Sequence, residues 1–265
     1  MTVLRAELRK LAAQTRVRVL LLVCLLGPSL FAVVLGLQSG LPKDTLFGRH
    51  VHDSGYALPL VILGFAGMWG FPLLTSLVAG DIFSSEDGHR TWAAVLTRSR
   101  TRGQVFTGKV LAACVVATGL LAVTAITSVL AGLALAGHSP LTGLSGDALP
   151  PVRAVLLVLA SFATVLPPLL GFTGLACLLS VVSRNSVVGV GGPVLLGLVM
   201  QLLSLLGALG SASNALLTTP FAAWHGLVRE QPFYGPLWQG ALVSLGWAVV
   251  CLAVARRVLL TRDVT

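Results

Sequence analysis

Residues 81–109 open with Asp81-Ile82-Phe83-Ser84-Ser85-Glu86-Asp87-Gly88-His89-Arg90-Thr91-Trp92 and run on through Arg98, Arg100 and Arg102 to Gly108-Lys109. Long apolar runs lie on both sides of this charged stretch. A polar segment joining two membrane spans must sit in water. One that carries Arg90, Arg98, Arg100, Arg102 and Lys109 is expected on the cytoplasmic side. The chain is therefore read as an all-α membrane protein whose largest cytoplasmic loop is available for docking.

Composition agrees. Of 265 residues, 55% are hydrophobic and 10% charged, against about 25% charged in a typical soluble domain. A soluble core of this length could not hide so much apolar surface, so the bilayer is the expected solvent. A net charge of +9 raises the question of nucleic acid. The basic residues sort by membrane side instead, and no nucleic-acid partner is expected. Cys24, Cys114, Cys177 and Cys251 each fall in a separate apolar run. Small apolar fillers are expected there rather than a disulfide framework.

Six runs suit the length needed to cross a bilayer, about 20 residues. They are 19–37, 57–79, 110–136, 152–182, 187–209 and 239–255. The fourth holds Pro167-Pro168 and is read as one kinked span, since proline lacks the donor a helix needs. On this map fourteen of the eighteen Lys and Arg residues share one side, and only Lys43, Arg49, Arg153 and Arg229 fall on the other. Both termini are then expected in the cytoplasm. Residues 1–18 read as an amphipathic interfacial helix, with Leu4, Leu8 and Leu11 on one face and Arg5, Glu7, Arg9, Lys10 and Gln14 elsewhere. The whole chain, 1–265, is read as a single transmembrane domain, with 81–109 as its cytoplasmic loop and 210–238 as an external re-entrant segment.

No Asp, Glu, Lys or Arg is expected deep within a span. Ion-coupled carriers usually keep ionisable groups at membrane depth. An ion-coupled secondary transporter or channel, working without an ATPase, is the alternative reading, because backbone carbonyls can also bind sodium. Gln201 is the most polar group left in the spans. Glycines in the second and fifth spans, with Pro72 and Pro193, suit close packing and kinks.

Three motif-like patterns lead elsewhere. Gly103 to Val110 nearly fits a phosphate-binding loop, but Val110 stands where Ser or Thr is needed and no strand precedes it. Gly143-Leu144-Ser145-Gly146 resembles a serine nucleophile motif but lies in a loop. His50 and His52 alone are too few for a metal site.

The charged stretch resembles permease subunits of type-2 ATP-binding-cassette (ABC) exporters. These carry a Glu, then Gly and Thr, a Leu-rich turn, an Arg and a Gly-Lys entering the third span. The matching positions are Glu86, Gly88, Thr91-Trp92, Leu96-Thr97-Arg98, Arg102 and Gly108-Lys109. His89-Arg90 interrupt the usual Gly-Thr pair, and Ser99 to Thr101 stand where a proline is often found. The segment with Thr219-Pro220-Phe221, Trp224, Phe233, Tyr234 and Trp238 is similar to the family's short external helices.

The resemblance implies six spans and a short coupling helix at about 91–96, gripped by an ATPase subunit. It implies an inert permease that is not an enzyme itself, with ATP and Mg on the partner ATPase and no cofactor on this chain. Membrane lipids and a second permease copy, identical or a close paralogue, are the other expected partners. Glu86, Gly88, Thr91, Arg98, Arg102 and Lys109 are the expected coupling residues. Phe65, Trp69 and Gln201 are the expected substrate path. The expected setting is a bacterial plasma membrane, and the expected cargo is an amphipathic or hydrophobic drug, peptide or lipid.

Overall fold

The computed structural model describes residues 3–38, 47–88, 92, 101–142, 148–229 and 232–261. Thr91 and Arg98 lie outside the described residues, as do the Gly143–Gly146 motif and all of the expected coupling helix except Trp92. Among the described residues six helices are long and apolar enough to cross a membrane: Thr15–Leu37, Ala57–Gly88, Arg102–Ala136, Pro151–Ser183, Ser186–Leu205 and Gly235–Thr261, here spans 1 to 6. A shorter entry helix, Val3–Ala13, precedes them. Spans 2, 3 and 4 pack together at the centre. Span 1 and the entry helix lie on span 3, span 5 lies against spans 2 and 4, and span 6 runs along span 4.

Prolines inside the spans free backbone carbonyls, and the packing answers them. Pro28 of span 1 cannot donate to Cys24, one turn back. The Thr127 hydroxyl of span 3 instead donates to the Cys24 carbonyl at 2.8 Å, which fastens the two helices. Span 4 breaks at Thr164-Val165, between helices Pro151–Ala163 and Leu166–Ser183, just ahead of Pro167-Pro168. It remains one membrane-long helix, as the proline pair suggests.

Span 2 contains a π-helical turn, Ala66–Gly70, in which the Phe71 amide reaches back five residues to the Ala66 carbonyl. Pro72 follows at once. Since Pro72 offers no N–H to Met68, the widened turn shifts the register where an α-helix would lose a bond anyway.

Several ends differ from expectation. Span 3 starts at Arg102 rather than near 110, because Thr101 caps it. The Thr101 hydroxyl accepts from the Gln104 amide at 3.2 Å, while the Gln104 side chain accepts from the Thr101 amide at 3.2 Å. That reciprocal pair starts a helix firmly. Span 2 extends through a turn to a short helix, Ser84–Gly88. Charged residues therefore stand within the ends of the long helices, Asp81, Glu86 and Asp87 in span 2 and Lys109 in span 3. Span 5 stops at Leu205, ahead of Gly207, whose φ of 63° suits a helix end. The segment that follows contains two 3₁₀ helices, Gly210–Ala215 and Thr219–Gly226, and span 6 begins early, at Gly235.

Candidate functional site

Span 2 is sewn into the bundle where it ends. Gly80 and Gly189 face each other so closely that a Cβ on either would meet the other's carbonyl oxygen, at 2.2 and 1.9 Å. Only glycine permits that approach of spans 2 and 5. The chain then turns into Ser84–Gly88, whose first amides have no helical partners. The buried Ser180 hydroxyl of span 4 accepts from the Phe83 and Ser84 amides at 3.1 and 3.0 Å. Asp81 accepts from Ser186 at the start of span 5, at 2.6 Å, and pairs with Arg16 of span 1 at 2.5 Å.

The next residues build an ionic cluster. Lys109 sits about two turns inside span 3, and its side chain is fully enclosed. Its ammonium lies 2.8 Å from Glu86 Oε1 and 3.0 Å from Glu7 Oε2. Lys10 donates to the same Glu86 oxygen. Two carboxylates and two ammonium groups thus join the entry helix, the end of span 2 and the start of span 3. Gly108 allows this, because a Cβ there would lie 2.4 Å from Val3 Cγ1. Beside the cluster Phe83 and Phe106 stack, with centroids 5.5 Å apart.

A buried ion needs its counter-ion. Leaving one unpaired costs about 3–5 kcal/mol, although an apolar replacement of the whole set can be as stable. The cluster therefore fixes one arrangement of three segments more than it adds stability.

The expected coupling residues separate in the structure. Glu86 and Lys109 meet, but both are enclosed, so the expectation that they face water fails. Span 3 begins earlier than its hydropathy suggests, and the entry helix covers them. Glu7, expected on the polar face of that helix, is buried for the same reason. Gly88 ends its short helix, and among the described residues nothing lies within 4 Å of a Cβ built there. Arg102, the first residue of span 3, reaches the Leu260 carbonyl at 3.4 Å. Trp92 donates to Asp87 at 2.9 Å. Sequence reasoning did not select Glu7, Lys10, Asp81, Arg16 or Ser180. The Thr101-x-x-Gln104 signature could have exposed the cluster, since it places Lys109 inside an apolar helix where it needs a partner. It also makes residues 103–110 helical, so the near-match to a phosphate loop is no loop.

At the opposite end of the bundle lies a cleft of about 460 Å³. Span 2 around its π turn, span 5 and the Thr219–Gly226 segment enclose it. Phe65 and Gln201 line it, but Trp69 does not. Trp69 lies in the π turn and is 45% exposed. Phe221 packs against Phe71 and Phe172, and Trp224 lies near Phe47.

A family model described as ABC-2 family transporter protein matches residues 3–204. That stretch holds the ionic cluster and spans 1 to 5. Comparison with curated proteins gives no match.

Proposed function

The chain belongs to the ABC-2 family of transporter proteins, a multi-pass membrane component, and from that membership we propose that it is the permease subunit of an ABC exporter. ATP would be bound and hydrolysed with Mg²⁺ on separate ATPase subunits. A second permease, identical or a close paralogue, would complete the path through a bacterial plasma membrane, with both termini cytoplasmic. The exposed apolar residues Leu22 and Leu26 of span 1 and Leu195 and Val199 of span 5 suit a face covered by lipid or by that second copy.

The observation that carries this reading is the linkage of Lys109 and Glu86 to the entry helix. An ATPase docked on the segment between spans 2 and 3 would push on Gly88, Thr91, Arg98 and Arg102. Glu86 and Lys109 would pass that push to spans 2 and 3 together, because a buried ion pair resists separation. Glu7 and Lys10 would carry the entry helix along. Span 2 would deliver the movement to its π turn beside Phe65, with Gln201 across the cleft. The cargo would be amphipathic or hydrophobic.

The test is reconstitution of the full chain with the ATPase that co-purifies with it. Glu86→Gln and Arg102→Gln should lower cargo moved per ATP consumed. Unchanged cargo per ATP in both variants refutes the coupling role.

A further inference from the structure

The cleft beneath the Thr219–Gly226 segment contains more polar chemistry than packing needs. Thr218 lines it and is about 95% buried, and its hydroxyl finds no hydrogen-bond partner among the described residues. An enclosed hydroxyl without a partner is unfavourable. Gln201 brings an amide from span 5 to the same lining.

His225 brings a third polar group. Its Nδ1 lies 2.7 Å from the Ala222 carbonyl. A carbonyl only accepts, so Nδ1 carries hydrogen and the neutral ring keeps Nε2 as an acceptor. The ring stacks on Trp224, centroids 3.9 Å apart. Phe65 and Trp224 supply apolar walls, and among the described residues the lining holds no Asp, Glu, Lys or Arg.

We propose that this cleft binds a neutral amphipathic small molecule. Its apolar body lies between Phe65 and Trp224, and its hydroxyl or amide head engages Thr218, Gln201 and His225. The volume is that of a drug-sized ligand and is too small for a long peptide. A carboxylate or phosphate head meets no Lys or Arg among the described lining residues to offset its lost hydration. Binding stands on the cleft alone. That the bound molecule is cargo rests on the permease reading.

The test uses the full chain in lipid nanodiscs, with Trp69, Trp92, Trp238 and Trp247 replaced by Phe so that Trp224 is the only indole. The probes are a bromine-tipped alkyl amide and the carboxylate of equal chain length. The amide should quench Trp224 fluorescence saturably, and the ionised carboxylate should not. Thr218→Val keeps the side chain's shape and removes the unpaired hydroxyl, so the protein stays folded while amide affinity falls about fivefold or more. Gln201→Leu should weaken binding similarly. Unsaturable quenching, equal for both probes and indifferent to Thr218→Val, overturns the proposal. No ATPase is present, so absence of an ATPase partner would defeat the permease reading and leave this result standing.

Discussion

The Lys109 ammonium lies 2.8 Å from a Glu86 carboxylate oxygen, and 23 residues of chain separate the two. Their side chains are 0% and 3% exposed. Spans 2 and 3 are thus joined at the base of the segment that connects them. With Glu7 on the same ammonium, the entry helix becomes part of the same unit.

Lys109→Met should destabilise the protein by about 3–5 kcal/mol, since it leaves Glu86 and Glu7 in a closed site with one cation fewer. Adding Glu7→Gln restores the balance, because Glu86 keeps Lys10. Denaturant unfolding in detergent should therefore rank the double variant above Lys109→Met alone. The reverse order would show that the cluster is not electrostatically coupled.

Gly189→Val should be worse than ordinary overpacking, which costs about 1–3 kcal/mol. A Cβ at Gly189 meets the Gly80 backbone rather than a movable side chain. Spans 2 and 5 must separate, breaking the Asp81–Ser186 hydrogen bond. Thermal unfolding should show a large loss, and a disulfide trap between the spans below this point should form more slowly than in the unmodified chain.

Thr127→Val should cost about 1 kcal/mol, the usual worth of a hydrogen bond between membrane helices. The penalty should shrink when Pro28 is replaced by Ala, because the Cys24 carbonyl then regains a helical donor. A double-mutant cycle on unfolding free energies measures this coupling. Strict additivity would mean that Thr127 serves only its own helix.

Gly108→Leu should release the entry helix, since the added side chain occupies the position of Val3. Trypsin should then cut at Arg5, Arg9 and Lys10 faster than in the unmodified chain. Equal rates would separate the helix from the cluster.

The six spans were legible because hydropathy is a local property, and each run names its own helix. The kinked fourth span was legible from Pro167-Pro168. Lys109 was misplaced because hydropathy rises only at Val110, whereas the capping pair Thr101 and Gln104 starts the helix earlier. Its partner Glu7 is 102 residues away, and no local pattern marks a contact so distant. Phe65 and Trp69 looked like neighbours on one face. The π turn Ala66–Gly70 follows Phe65 and contains Trp69, and ordinary helical spacing does not register it.

The most direct test of the coupling account places a photo-crosslinking benzoylphenylalanine at Gly88, where no atom of the described residues crowds a new side chain. A control probe goes at the exposed His138, at the other end of the bundle. Irradiation of native membranes should link the Gly88 probe to an ATP-binding protein and leave the His138 probe unlinked. An ATP-binding protein captured at His138 and absent at Gly88 would contradict the account.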